Sequence, residues 1–333
     1  MLRVCLLGTG DYAYVHADWW GRVPGARLVA VAGRTPDRVQ RLCRGRPGVE
    51  PLSMEDVQKS GRPFDLVDIV TPHSLHAEQT VRALEAGYHV LVEKPMATTA
   101  ADAGRMVRAA GSAGRRLFVV SQYRFIPAFR VLSRVLGGVR VRRAKYSMKA
   151  TLFSAGINTD RETWKSKRET AGGGLLIGSL VHPLDLLLKW FGAPQDIVAK
   201  TGAEIRNIEV ETRVQASWRA DHGARIELEG AALPGVIPAA ELEIELENGR
   251  KVRVQNRRFD PRGVPIRWKL MELWTGFWGR AVPSRRDPLA RQFADIVQSL
   301  ATGRRAAVEG ADGLSVIGAV EKIYEAALKK SDN

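Results

Sequence analysis

The sequence predicts an α/β half followed by an α+β half. A doubly wound parallel sheet is expected over residues 1–122, and a largely antiparallel, open sheet backed by helices over residues 123–333. Three observations carry this. Short apolar runs alternate with helix-like stretches as far as Gln122, the pattern of a parallel sheet with crossover helices. A glycine-rich turn, Gly8-Thr9-Gly10-Asp11-Tyr12-Ala13, directly follows the first of these runs. From about residue 196 strands succeed one another with no helix between them.

In order, residues 3–7 form the first strand and the turn leads into a helix from about Tyr12 to Gly21. Gly8 permits the tight turn, Gly10 lets backbone approach a pyrophosphate, and Ala13 is small enough for close helix–strand packing. The first amides of the helix then face phosphate. This is the dinucleotide-binding pattern of a Rossmann sheet, and its place between strand and helix supports it. The second strand, Leu28 to Ala32, ends at Gly33-Arg34-Thr35. Gly33 offers no carboxylate to ribose hydroxyls, whereas Arg34 offers a planar cation for a 2′-phosphate. NADP(H) is therefore the expected cofactor and NAD(H) the alternative; the other reading of Arg34 is a solvated residue opening the next helix.

Leu66 to Val70 is an apolar strand, followed by Thr71-Pro72-His73-Ser74-Leu75-His76 and a helix that stops at Gly87. Residues 89–92 form a strand that runs into Glu93-Lys94-Pro95. A lysine at the carboxyl end of a strand stands where open α/β sheets hold ligands. Partial burial there would lower its pKa and let it exchange protons near neutrality. Equally, it could be a surface lysine beside a turn proline. A helix capped by Thr98 or Thr99 and a strand at 117–121 complete this half.

The second half opens with a helix at 125–136 and a long strand at 139–150. Residues 151–174 are irregular, and Leu175 to Phe191 is helix-like with His182 and Asp185. Strands are expected near 196–204, 211–219, 224–231, 240–247 and 250–256. For the last pair, a three-residue loop at 247–249 sets Ile244 against Val252 and Leu242 against Val254. It also sets Glu245 against Lys251 and Glu243 against Arg253, so a bulged turn with a left-handed Gly249 is preferred to a two-residue Asn-Gly turn. The apolar face of this sheet must be covered by helices or by a second subunit, the latter making a homo-oligomer. Trp268, Trp274, Phe277 and Trp278 mark an aromatic segment suited to packing, and helices at 287–302 and 311–329 close the chain.

Composition excludes little but is informative. The chain is 45% hydrophobic and 26% charged, with 51 basic residues against 36 acidic ones and a formal charge of +15. The basic residues are scattered and form no nucleic-acid-binding motif, so arginine spread over surfaces and strands is the expected source of the charge, with an anionic substrate the lesser reading and no nucleic acid expected. No uninterrupted apolar run reaches the length of a membrane span, and the N-terminus lacks a signal-peptide layout. Cys5 and Cys43 make neither a disulfide framework nor a metal-ligand pattern. A cytoplasmic protein without metal is expected.

Taken together, the Gly8-Thr9-Gly10 turn, Thr71 to His76, Gly87 to Met96, Gln122-Tyr123-Arg124-Phe125, Ala171 to Gly174 and Ser179 to Asp185 resemble the glucose–fructose oxidoreductase, inositol dehydrogenase and MocA family (Gfo/Idh/MocA). The resemblance implies a nicotinamide-dependent oxidoreductase acting on sugars, cyclitols or related carbonyl compounds. Lys94 falls on the family's catalytic lysine and His182 on the histidine that positions or protonates substrate. Thr71, Pro72, His76, Glu93 and Gln122 join the glycine-rich turn and Arg34 as cofactor-binding candidates. Tyr123, Arg124, Trp164, Lys165 and Asp185 are candidates to line the substrate pocket, with Arg124 and Lys165 suited to an anionic one. Gly178 departs from the pattern, because many members carry aspartate four residues before the histidine. A carboxylate one helical turn away would orient that ring, so its loss favours a carbonyl reductase led by Lys94, or a sensor with reduced turnover.

Overall fold

The computed structural model describes residues 1–59, 61–155, 157, 163–203, 205, 208–256, 258–259 and 287–329. The chain divides into two compact units, Met1–Ser121 with Pro283–Leu314, and Gln122–Val282 with Ser315–Asn333.

The first unit holds a six-stranded sheet: β1 (Leu2–Leu7), β2 (Ala26–Ala32), β3 (Glu50–Leu52), β4 (Leu66–Ile69), β5 (His89–Val92) and β6 (Leu117–Val119). All its pairings are parallel and the spatial order is β3-β2-β1-β4-β5-β6. The order reverses between β1 and β4, the switch point at which such sheets bind ligands. Helices α1 (Asp11–Trp20), α2 (Pro36–Cys43), α3 (Met54–Val57), α4 (His76–Glu85) and α5 (Ala100–Ser112) connect the strands. The short β3 and α3 have no strong sequence period. Val4, Leu6, Leu66 and Leu91 are fully buried, as strands covered on both faces must be.

A single boundary at 122/123 does not describe this unit. Helix α9 (Pro288–Thr302) returns to it, placing Leu289, Ala290, Phe293 and Ile296 in its core, with Phe293 stacked on Trp20 at 4.1 Å. Gln292 also closes the edge beside β6: its amide donates to the Val119 carbonyl at 2.7 Å and its oxygen accepts the Ser121 N–H at 2.9 Å. The amphipathic period of α9 is plain in the sequence, but a period does not say which sheet it covers.

The second unit begins with a 3₁₀ turn at Gln122–Phe125 and α6 (Pro127–Leu136), rather than one helix from 125. Its sheet comprises β7 (Val141–Ala150), β8 (Gln195–Gly202), β9 (Arg213–Arg219), β10 (Arg225–Ala232), β11 (Ala239–Leu246), β12 (Lys251–Gln255) and β13 (Arg258–Phe259). The order is β13-β12-β11-β7-β10-β9-β8; β7 and β10 pair in parallel and the other pairs are antiparallel. The β11–β12 hairpin has the expected register, Ile244 to Val252 and Glu243 to Arg253, with Gly249 at φ +77°. Its apolar side chains point into the unit, while Arg143–Glu227, Lys145–Glu229 and Arg253–Glu243 pair on the other face.

Helical segments cover the apolar face within the chain. A Cβ on Gly230 of β10 would come within 3.0 Å of Leu175 and 2.8 Å of Leu180, so glycine lets the helical stretch lie directly on the sheet. The covering segment includes α7 (Arg168–Ala171), a π-helical turn at Leu176–Leu180 and α8 (Val181–Phe191). By length and composition alone Arg168–Phe191 would suffice to cross a membrane, but 72% of its most apolar window is buried in the protein. The last helix, α10 (Gly310–Leu328), starts in the first unit and ends in the second. The aromatic segment around Trp268 to Trp278 lies outside the described residues.

Candidate active site

In the first unit the glycine-rich turn has the shape its sequence requires. Gly8 has φ +131°, and a Cβ there would lie 2.1 Å from the Val70 carbonyl oxygen, so only glycine fits between β1 and the end of β4. By contrast, a Cβ on Gly10 meets nothing within 4 Å. Gly10 is the N-cap of α1 and supplies no side chain to its first amides, and Ala13 is fully buried behind it. An open cradle ending in uncapped helix amides fits a pyrophosphate. Tyr12, 45% exposed, stands at its rim.

At the end of β2, a Cβ on Gly33 would approach Thr9 Cγ2 to 2.9 Å. Thr9 thus fills the place from which an acidic side chain at 33 would reach a ribose. Arg34 is exposed and makes no ion pair among the described residues, and Thr35 is the N-cap of α2.

Lys94 lies two residues beyond β5, half-buried, with a cis peptide to Pro95. The flanking residues are held firmly. Glu93 is buried, accepts the Lys94 N–H at 2.9 Å through Oε2, and lies 3.0 Å from His16 Nε2 through Oε1. The other His16 nitrogen, Nδ1, is 2.8 Å from Asp68 Oδ2, which also accepts from Trp20 Nε1 at 2.6 Å. Burial opposes charge on His16, but the two carboxylates outweigh it and push its pKa up to about 10. Burial likewise works against Glu93, yet His16 and Lys94 hold it below the ordinary carboxylate range.

His76 is fully buried, its ring nitrogens each 2.8 Å from a backbone carbonyl oxygen, those of Pro95 and Thr71. A neutral ring donates from one nitrogen at a time, so His76 bridges the loops after β4 and β5 through a single hydrogen bond to one of these carbonyls. Burial pushes its pKa down. Thr71 and Pro72, half-buried, lie at the end of β4, and Thr71 donates to Gln79 at 2.6 Å.

The second unit gathers the remaining candidates. Tyr123 and His182 stack with ring centroids 4.7 Å apart and planes 12° from parallel. Arg124 and Asp185 grip one another in a two-pronged pair, Nε to Oδ2 at 2.7 Å and Nη2 to Oδ1 at 2.5 Å, with side chains 6% and 5% exposed. Much of the arginine's charge is matched within the protein by Asp185. Asp185, one turn beyond His182 on the same helix, is the carboxylate that Arg124 grips. Lys165 is exposed and lies 5.5 Å from the Trp164 ring centroid; Gln122 is half-buried at the start of the 3₁₀ turn. Gly178 sits in the π-helical turn, so the α-helical relation between residues four apart does not hold between 178 and 182.

Glu211 went unnoticed in the sequence. Buried, it accepts the Gly174 N–H at 2.8 Å, the Leu176 N–H at 2.9 Å and the Tyr324 hydroxyl at 2.9 Å, capping the helical stretch that carries His182. No motif separates it from other strand-edge glutamates. Asp68 had a visible signal, a single carboxylate within the apolar run Leu66 to Val70.

Two domain models of one family match the chain. The oxidoreductase-family NAD-binding Rossmann model covers residues 2–121, and the GFO/IDH/MocA C-terminal domain covers residues 131–250. The chain belongs to the Gfo/Idh/MocA family. D-glucoside 3-dehydrogenase of Escherichia coli is 32% identical over 203 residues, 58% of this chain and 55% of that enzyme. The aligned stretch thus spans little more than half of that relative. A scyllo-inositol 2-dehydrogenase (NADP(+)) of Bacillus subtilis, IolU, is 27% identical over 66% of this chain and 67% of its own length. Among solved structures, the WlbA dehydrogenase of Bordetella pertussis in complex with NADH and UDP-GlcNAcA has a TM-score of 0.84 at 24% identity, covering 99% of this chain and 96% of that one. At that identity the likeness is one of fold. Alongside IolU, a scyllo-inositol 2-dehydrogenase (NAD(+)) of Bacillus subtilis is 26% identical over 80% of this chain and 70% of its own length, so this Gfo/Idh/MocA member has relatives named with either nicotinamide cofactor.

Proposed function

We propose that the protein transfers hydride between a nicotinamide dinucleotide, NADP(H) by preference, and a carbonyl or hydroxyl carbon of a sugar, nucleotide sugar or cyclitol. The observation that carries this is Lys94 at the carboxyl end of β5, in the same sheet edge as the Gly8–Ala13 cradle. Gly8, Gly10 and the first amides of α1 hold the pyrophosphate, and Arg34 and Thr35 receive a 2′-phosphate. The bound nicotinamide supplies or takes the hydride. Lys94 gives its Nζ proton to the substrate oxygen in reduction and takes one in oxidation, a transfer suited to an amine partly withdrawn from water. His182, backed by Tyr123, orients the substrate. The relatives named for D-glucosides and scyllo-inositol support the substrate class.

Titration with NADPH and NADH, followed by a panel of ketosugars, nucleotide sugars and inositols, tests this. NADPH should bind more tightly, and Arg34→Ala should weaken it about tenfold while leaving NADH unchanged, the loss expected for one charge-assisted phosphate contact. Tighter binding of NADH by the wild type overturns the preference. Lys94→Ala should retain cofactor binding and lose turnover; full turnover in that variant overturns the role of Lys94.

A further inference from the structure

His16 is wholly buried beside the Phe293 ring (centroids 5.1 Å apart), a neighbour that offers its ring nitrogens no hydrogen-bond partner. Yet each ring nitrogen meets a carboxylate, Nδ1 on Asp68 at 2.8 Å and Nε2 on Glu93 at 3.0 Å. An ionised carboxylate has no proton to give, so both contacts are hydrogen bonds only when both nitrogens carry hydrogen. Asp68 belongs to β4 and Glu93 directly follows β5, so one ring ties neighbouring strands at the edge where the chain turns into Lys94. The second oxygen of Glu93 receives the Lys94 N–H at 2.9 Å. On the far side of Lys94, His76 Nδ1 lies 2.8 Å from the Pro95 carbonyl oxygen.

The geometry points to His16 as a positioning residue: as an imidazolium clamped between Asp68 and Glu93, it fixes the carboxylate that sets the turn presenting Lys94 and balances the charge beneath it. The inference rests on Lys94 being the residue that moves the proton. The charged groups facing the ring are Asp68 and Glu93, with Lys94 next in line; Tyr12 and Phe293 are its aromatic neighbours. Replacing the ring by a neutral side chain leaves two buried carboxylates short of one cation, and their surplus negative charge favours protonated Lys94.

Two readouts test this without any substrate. In the full-length wild type, NMR titration of the imidazole ring should show His16 protonated through neutrality, with a midpoint near 10. A midpoint at or below the ordinary 6.5 overturns the proposal even if no variant folds. Second, acetic anhydride labelling across pH, read by peptide mass spectrometry, reports the protonation of Lys94. His16→Gln should raise the labelling midpoint of Lys94 by about one pH unit and Glu93→Gln should lower it, with exposed Lys200 unchanged. Midpoints that stay put in both variants make His16 a mere filler of space. If Lys94→Ala keeps turnover while these shifts occur, the clamp stands and the catalytic assignment of Lys94 falls.

Discussion

Two buried carboxylates, one in each unit, hold the segments that carry Lys94 and His182, and they are neutralised in different ways. Glu93 meets a cation, His16, and shares it with Asp68. Among the described residues Glu211 takes its side-chain hydrogen bonds from dipoles, two backbone N–H groups and the Tyr324 hydroxyl, while the Arg168 guanidinium lies over the Tyr324 ring. A carboxylate matched by a titrating cation depends on pH, whereas one matched by amides does so only where the carboxylate or its phenol partner titrates. His16 is raised from 6.5 to about 10, so its contribution is complete below pH 6.5 and is lost as pH rises through about 10. Glu93 is depressed, so its contribution is present above its ordinary 4.5 and is lost as pH falls. The cluster in the first unit is therefore at full strength between pH 4.5 and 6.5. Burial and the nearby Glu211 raise Tyr324 above its ordinary 10, so the second unit keeps its hydroxyl contact throughout that alkaline decline.

The sharpest way to break this comparison is Gly174→Ala. A Cβ at 174 would lie 2.1 Å from the Glu211 carbonyl oxygen, backbone against backbone with no side chain free to yield. Overpacking of this kind should cost about 3 kcal/mol or more, seen as a large drop in the urea midpoint. A smaller loss is expected for Tyr324→Phe, about 2 kcal/mol for one hydrogen bond to a buried carboxylate. That loss should be constant from pH 6.5 to 9, unlike the loss caused by His16→Gln, which should shrink over the same range; parallel slopes in the two variants would erase the distinction. Least disruptive is Gly178→Asp. A Cβ there comes no nearer than 3.9 Å to the Ala155 carbonyl, so stability should change by no more than about 1 kcal/mol. Because residue 178 lies in a π-helical turn, the new carboxylate should leave the pH dependence of turnover unchanged. An alkaline shift would place it beside His182 after all.

Much of this was legible in the sequence. Gly8-Thr9-Gly10 announced the cradle, because a φ of +131° hard against Val70 admits no other residue than glycine. Matching charges and apolar residues fixed the β11–β12 register, since a slip by one residue would turn each apolar side chain outward. Lys94 stood out by its place after an apolar strand. His16 did not, because one histidine on a helix gives no sign of which strands lie below it, and the lone aspartate in β4 was the only hint that a cation must reach it.

Local order, then, was settled by composition and period: which residues are strands, where glycine is obligatory, and which lysine ends β5. The tertiary structure alone decided the partners. It sent α9 back to the first sheet, paired Arg124 with Asp185, and brought His16 between two carboxylates 52 and 77 residues away. Periodicity constrains only near neighbours, whereas a buried charge must find its counterpart wherever the folded chain places one.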